Sequence, residues 1–497
     1  MKHCRLFTGL MVLLFTLPAS AQNDFEAWKR QQEHGAAQIQ EDFRKFKDEN
    51  DRQFADFLKS QWREFDAMRG VVRDPQPKPK VLPTAKPAPT EKPSRPTLKP
   101  TLRPTVSPQP SFTPVPILIP TPPAVATPRP AAGDVLRIPF YGNTLTIPYQ
   151  PGWRQKLIAR PLSPERMSEF WTQIGTSNFE PALAQLQLAR KTLALDDWSY
   201  LTLTRSYVEA LQPASTTEQN LLLWFFMIKS GYDVRCAYMG DQLYVFVAVR
   251  QQVYGTKFLQ VKDIPYYAVL AADRGQSMQS FYTYDARYPA NLRPVDLRVR
   301  SLAFTRPQMA IRELQWSHAG RKYHLVVPYD RQSVDFLKTY PQADIRVPFA
   351  SDLSPLSRAA LLRELRPLLA GMNEEQSVNF LLAFVQKAFA YRTDEDQFGY
   401  EKYFFGEEIL FYPYSDCEDR SVFFAWLVRE LTGLEVVGLS YPGHIATAVR
   451  FNSAAPRGDS VTHGGRRYVV ADPTYIGASL GMTQPAYLRT VPTVISW

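Results

Sequence analysis

Cys417, His444 and Asp472 supply, in chain order, the three residue types of a thiol relay. A cysteine attacks a carbonyl carbon as the thiolate, a histidine takes its proton, and an acid orients the imidazole and stabilises its cation. The elements that must position them can be read around each residue. Ser415-x-x-Glu418 reads as a capping box with Ser415 at the N-cap. That puts Cys417 in the first turn of a helix, where unpaired backbone N–H groups and the dipole favour a thiolate. Val422, Phe423, Trp426, Leu427 and Leu431 recur at helical spacing, and Gly433 supplies the stop. Leu434–Leu439 reads as a strand, and Pro442-Gly443 turns the chain so that His444 opens a second, Ile445–Phe451. Tyr468–Ala471 reads as a third strand, with Asp472 at its end and Pro473 terminating it.

This stretch resembles the transglutaminase-like superfamily, relatives of papain-type thiol enzymes, over roughly residues 375–480. The family's Cys-x-Asp helix start stands as Cys417-Glu-Asp419, its His-opened strand as His444-Ile-Ala-Thr-Ala-Val449, and its Asp-Pro-Thr as Asp472-Pro473-Thr474. The departure follows His444, where Ile445-Ala446 replaces the Ala-Trp of many members. The resemblance implies Cys417 as nucleophile, His444 as general base and Asp472 as orienting acid. It also implies an α+β papain-like domain, with the cysteine helix packed on an antiparallel sheet that bears the histidine and the acid. No cofactor and no metal are implied.

The segment leading into the nucleophile, Tyr391–Asp416, is crowded with aromatics and carries seven acids. It reads as one wall of a cleft, and the acids imply a preference for basic or amine-bearing substrates, with a solvated acidic face as the competing account. Tyr412 or Tyr414 is expected to donate to an oxyanion beside the Cys417 N–H, a role that rests partly on the resemblance. Asp394-x-Asp396-x-x-Gly399 has the start of a calcium loop, but Phe398 and Phe405 stand where oxygen ligands belong, so an EF-hand is rejected. Asp416, Glu418 and Asp419 would raise the Cys417 pKa. A nearby protonated His444 is expected to outweigh them, because exposed acids can turn to solvent. His463-Gly-Gly465 reads as a turn and not a metal site.

An internal duplication lies upstream. Trp224, Gly231, Val234 and Val247 parallel Trp426, Gly433, Val436 and Val449 at a constant offset of 202. Gly142…Pro148 parallels Gly320…Pro328, and Leu195-Asp-Asp197 parallels Asn373-Glu-Glu375, at offsets of about 178–180. At the offset of 202, Ser215 replaces Cys417 and Gln242 replaces His444, while Asp263 lies near the place of Asp472. The first copy has therefore lost the chemistry and reads as a binding or supporting domain. Shared α+β patterning alone is the plainer account. Leu297–Phe304, Glu313–Trp316 and Lys322–Val327 between the copies read as strands.

The 497 residues divide into a signal peptide (1–21), an amphipathic helix (22–70), a basic proline-rich linker (71–132), the inactive copy (133–290), a β-rich connection (291–350) and the catalytic copy (351–497). Lys2, Arg5, the apolar run Leu6–Leu17 and Ala19-Ser20-Ala21 make the secretory signal, so a soluble periplasmic or secreted protein is expected. Only Cys236 and Cys417 survive processing. Cys236 reads as a small buried hydrophobe, and a disulfide is not favoured. Phe43-x-x-Phe46, Phe54-x-x-Phe57 and Phe65-x-x-Met68 recur every eleven residues, which reads as one long exposed helix over 23–68. Such a stripe implies self-association as a coiled coil, with partner docking as the alternative. Arg73–Pro130 holds 19 of the 42 prolines and nine Lys/Arg against Asp74 and Glu91, which is much of the overall +10. It reads as a disordered spacer kept soluble by charge, or one that touches an anionic envelope polymer.

These readings converge on an exported cysteine enzyme with a protein or peptide substrate and no nucleic-acid partner. Hydrolysis is favoured over amine transfer. The rival, from a different class, is a non-enzymatic envelope module in which the triad is structural.

Overall fold

Two helices that are apolar on nearly every side organise the structure, because a helix without a polar face must be covered all round. The computed structural model describes residues 38, 41–42, 44–60, 62–70, 78–85, 134–270, 280–289 and 291–497. The signal peptide expected over 1–21 and most of the linker lie outside these residues.

In the first half, residues 44–59 form helix α1, followed by strands β1 (Trp62–Asp66) and β2 (Met68–Arg69). A hairpin of β3 (Val135–Phe140) and β4 (Asn143–Pro148) leads to helices α2 (Pro164–Gly175), α3 (Glu180–Thr192), α4 (Asp197–Leu211) and α5 (Thr216–Lys229). Then come β5 (Val234–Met239), β6 (Gln242–Ala248), β7 (Lys257–Val261), β8 (Ile264–Tyr267) and β9 (Ser280–Tyr284). The antiparallel sheet runs β1-β9-β5-β6-β8-β7-β2. Helix α5, buried from Leu221 to Ile228, packs on β5 and β6.

The second half repeats the plan. Hairpin β10 (Met309–His318) and β11 (Arg321–Asp330) is followed by α6 (Arg331–Leu337), α7 (Arg346–Ala350), α8 (Pro355–Leu365) and α9 (Glu374–Ala388). The segment before the thiol holds β12 (Ala390–Tyr391), α10 (Asp394–Phe398), α11 (Glu408–Phe411) and β13 (Tyr414–Ser415). Helix α12 (Cys417–Thr432) precedes β14 (Glu435–Tyr441), β15 (His444–Arg450), β16 (Ser460–His463), β17 (Arg466–Ala471) and β18 (Thr493–Ile495), paired antiparallel in the order β16-β17-β15-β14-β18. Helix α9 packs on α12, as do strands β14 and β15.

The repeat extends to strand register. Val234 pairs with Val247 and Met239 with Gln242, and 202 residues later Val436 pairs with Val449 and Tyr441 with His444. The β10–β11 hairpin contributes Leu314, Trp316, Leu325 and Val327 to the second core. It is thus the counterpart of β3–β4 and not merely a connection between domains.

Two expectations fail. The arm is not one free helix over 23–68. It is helical over 44–59, and then Trp62–Asp66 pairs with Ser280–Tyr284 at the edge of the first sheet. An edge strand offers a row of unpaired backbone groups, and the chain following the helix satisfies them. The apolar stripe is covered internally as well. Phe54 and Leu58 are buried, with Phe54 edge-to-face on Trp171 at 4.4 Å, while Ser168 donates to the Ala55 carbonyl at 2.6 Å. Phe46 remains 66% exposed. Leu297–Phe304 is not a strand either. Leu297, Leu302 and Phe304 insert into the first core, and the Leu297 N–H donates to the Gln251 side chain at 2.8 Å instead of to a ladder.

Candidate active site

Cys417 is the first residue of α12, and the N-cap is Asp416 rather than Ser415. Ser415 belongs to the short parallel pair with Tyr391, and its hydroxyl accepts from Arg420 Nε at 3.3 Å. Asp419 Oδ2 accepts from the Asp416 N–H at 3.1 Å, so a carboxylate three residues on closes the turn. Arg420 is buried and donates to the Phe389 carbonyl at 2.6 Å, fixing the helix start against the end of α9. The expected capping logic therefore holds, one residue later along the chain.

His444 opens β15 directly after the turn at Pro442-Gly443, where Gly443 takes φ 69, a conformation that favours glycine. Its Nε2 lies 2.8 Å from Asp472 Oδ2, with both side chains buried. Asp472 follows β17, and its Oδ1 accepts from the Thr474 N–H at 2.9 Å and the Thr474 hydroxyl at 2.7 Å. Those donors and the His444 partner outweigh burial, so the Asp472 pKa lies below its ordinary value. The sequence reading missed Gln484, whose Nε2 donates to Asp472 Oδ2 at 2.8 Å and lies 3.1 Å from His444 Nε2. No local pattern marks it, since it comes from an irregular segment twelve residues beyond Asp472. Tyr487 stacks on the imidazole with ring centroids 5.2 Å apart, and Tyr441 lies beyond at 6.1 Å. With Nε2 engaged by Asp472, Nδ1 is the nitrogen left to serve the thiol.

Cys417 and His444 line one cavity of about 340 Å³, together with Lys78, Glu401, Tyr403, Glu418, Tyr441 and Thr493. The thiol's hydrogen bond goes to Glu418 Oε2, at 2.9 Å, and not to His444. Burial, then the negative charge of Glu418, push the Cys417 pKa well above its ordinary value. The expectation that neighbouring acids would turn to solvent fails, because Asp416, Glu418 and Asp419 are all buried. A lysine from the proline-rich segment takes the place of solvent. Lys78 Nζ lies 2.8 Å from Asp416 and 2.8 Å from Glu401, contacts Glu418 closely, and reaches Asp394 at 3.8 Å.

This cluster shifts its own members. Burial and then repulsion from neighbouring carboxylates raise Asp416 to about 7 and Glu401 to about 10. For Glu418 burial acts upward, but Lys78 and several hydrogen bonds prevail and hold it low. Oxygens of Asp394, Asp416 and Asp419, and of Asp394, Glu401 and Glu418, lie close enough to share a cation. The cation next to them here is the Lys78 ammonium.

Tyr412 and Tyr414 do not line the cavity. Tyr412 stacks on Phe404 at 4.6 Å, and Tyr414 lies under the Arg392 guanidinium at 3.7 Å. The tyrosine electrostatically coupled to the thiol is Tyr391, whose hydroxyl donates to the Pro79 carbonyl at 2.8 Å.

In the first half Gln242 opens β6, as the offset of 202 requires, whereas Ser215 is the N-cap of α5, one place before the first-residue position that Cys417 holds on α12. Asp263 is not in the acid's place, since it sits in the turn between β7 and β8. Asp472 lies three residues beyond Val469, which pairs with Val449; three beyond Tyr267, which pairs with Val247, is Leu270. Leu270 and Gln242 together line a cavity of about 410 Å³ that lacks a histidine and a thiol.

Compared with protein-family models, with curated proteins and with solved structures, the chain shows no match.

Proposed function

We propose that the second half of the chain is a cysteine-dependent enzyme of transglutaminase-like build that acts on peptide or amide bonds through an acyl-thioester. The observation that carries this reading is the buried His444–Asp472 hydrogen bond on the wall of the cavity that Cys417 lines. His444 takes the thiol proton, the thiolate attacks the carbonyl carbon, and the amine leaves with that proton. Water, deprotonated by His444, then releases the acid and restores the thiol. Hydrolysis is favoured over transfer to an amine. The test is turnover of a peptide-amide library by the full chain, with Cys417→Ala as control; equal turnover in the variant sinks the assignment.

A second reading, a non-enzymatic envelope module, draws support from the Cys417–Glu418 hydrogen bond, which holds the thiol protonated. Alkylation by iodoacetamide distinguishes the two. A relay thiol becomes reactive once the cavity is vacated, whereas a structural thiol stays inert. Export by a cleaved signal peptide belongs to the same proposal, and N-terminal sequencing of the mature protein tests it. Self-association through 23–68 now rests on Phe46 and residues upstream, since Phe54 and Leu58 are already covered. Contact of the basic linker with an anionic envelope remains part of the proposal, tested by cosedimentation with anionic vesicles.

A further inference from the structure

Lys78 has four carboxylates around its ammonium and a side chain only 7% exposed, yet it belongs to a segment whose composition is that of a solvated linker. Its neighbours bend at Lys80–Val81 and are held by backbone contacts on either side. The Pro79 carbonyl accepts from Tyr391, the Ala85 N–H donates to the Ile476 carbonyl at 2.9 Å, and the Ile476 N–H donates to the Pro83 carbonyl at 2.9 Å. Ile476 lies four residues beyond Asp472, so the peptide is held by the segment that precedes Cys417 and by the one that follows Asp472. Backbone pairing joined to one side-chain pocket is how peptides are commonly recognised. One carboxylate joins pocket and thiol, since Glu418 contacts Lys78 through Oε1 and the Cys417 thiol through Oε2.

We propose that Asp394, Glu401, Asp416 and Glu418 form a subsite for a lysine side chain of the substrate, and that Lys78 fills it as an internal ligand in the resting chain. The inference rests on the cysteine-enzyme reading only for the word substrate; the amine subsite stands apart from it. Removing Lys78 without replacing it leaves Glu418, the carboxylate of the cluster held low, without its ammonium, a costly state in a low-dielectric site. The pocket therefore exchanges one ammonium for another, and neutral or acidic peptides cannot displace the strap. Burial opposes a charge on Lys78, but Glu418 and Asp416 more than offset it, and its pKa rises well above the ordinary lysine value. An ammonium held in that state anchors a peptide and is no nucleophile. Asp416 Oδ1, buried and unpartnered among the described residues, is a further acceptor on this pocket.

The test is fluorescence anisotropy with dansylated 1,5-diaminopentane on the full chain in a Cys417→Ala background, so that binding is read without turnover. Lys78→Ala should bind the amine at least about tenfold more tightly than the chain that keeps Lys78, because the competing occupant is gone. A dansylated alkanol of equal length should not bind either chain. Equal amine affinity with and without Lys78 overturns the proposal. Calcium chloride stabilising Lys78→Ala where n-pentylamine does not also overturns it, by making the cluster a metal site. If Lys78→Ala is unstable, n-pentylamine should raise its melting temperature, and no rise overturns the subsite in favour of a purely structural lysine. Tyr391→Phe keeps every charge and loosens only Pro79, so it should show weaker but measurable gain in amine binding. Absence of turnover on every amide would sink the enzyme reading and leave these binding results intact.

Discussion

Helix α5 with its hairpin and helix α12 with its hairpin share one backbone plan and one strand register, yet they differ in charge at the helix start. At the offset of 202, Ala214, Thr216 and Thr217 stand where the second half has Asp416, Glu418 and Asp419. The first half also lacks a counterpart to the segment that brings Asp394 and Glu401. Apolar packing explains the features the halves share, because both helices are buried over most of their length. It does not explain Asp394, Asp416, Glu418 and Asp419, which are buried together around the start of α12. Such groups are costly to bury unless paired. The first half buries Asp197, Asp233 and Asp296 in separate arginine pairs, and it is the clustering of acids beside the thiol that sets the two halves apart as framework and site.

The sharpest way to break that distinction is to remove the proposed relay. Cys417→Ala and His444→Ala should each lower kcat by several orders of magnitude, and the double variant should be little worse, because the residues act as one unit. Asp472→Asn should retain more activity, since it orients the ring. The Gln484→Ala phenotype should resemble that of Asp472→Asn in kind, through the same carboxylate, but be milder. Steady-state kinetics on one amide substrate checks all four.

Next in size is the arm. Phe54→Ala should destabilise the first half by about 3–5 kcal/mol, the usual cost of emptying a buried aromatic site, because Phe54 is buried against Trp171. A chain beginning at Gly133 would lose Phe54, Leu58 and strand β1 together, and should melt at markedly lower temperature than the full chain. Differential scanning calorimetry measures both. Unchanged melting in the truncated chain would restore the arm as a free appendage.

How much of this could be read from residues follows the same division. The α12–β14–β15–β17 framework and the places of Cys417, His444 and Asp472 were legible, because helical spacing, a Pro-Gly turn and short β-rich runs are local signals. The offset of 202 carried over to strand register for the same reason. Lys78, Gln484 and Leu270 were not legible, since each reaches its place through a long-range contact that its neighbours do not encode. The arm misled for a related reason: its apolar stripe was real, but sequence does not say whether a stripe finds its partner within the chain. The acids near Cys417 were visible, but their burial was not.

That burial gives the second half a pH signature, and Asp196 and Asp233, also raised by burial, act in the same sense in the first half. Asp416 is raised from 3.8 to about 7, by burial first and by Glu418 second. A carboxyl whose folded pKa exceeds its unfolded one stabilises the native state fully below its unfolded pKa and loses that contribution as pH rises through the folded value. Melting temperature of the second half should therefore fall as pH rises from 4 toward 7. Asp416→Asn, which keeps an N-cap side chain, should flatten the slope. Asp472 acts in the opposite sense but below this window, because its pKa is lowered and its contribution is lost only in stronger acid.

The smallest effects belong to the first half's counterparts of the relay. Ser215 is the α5 N-cap, but its hydroxyl donates to Glu218 and does not cap the helix backbone. Replacing a working cap costs about 0.5–2 kcal/mol, and Ser215→Ala should fall at or below the bottom of that range. Gln242 is exposed at the start of β6, with its amide oxygen accepting from Tyr244 at 2.6 Å. Gln242→Ala removes a surface hydrogen bond, which in water is worth little. Neither residue shares a cavity with Cys417, so turnover should be unchanged in both variants while melting shifts by a degree or two at most, on the order expected for surface changes. A fall in turnover in either variant would show that the first half takes part in the reaction, and the contrast between framework and site would then fail.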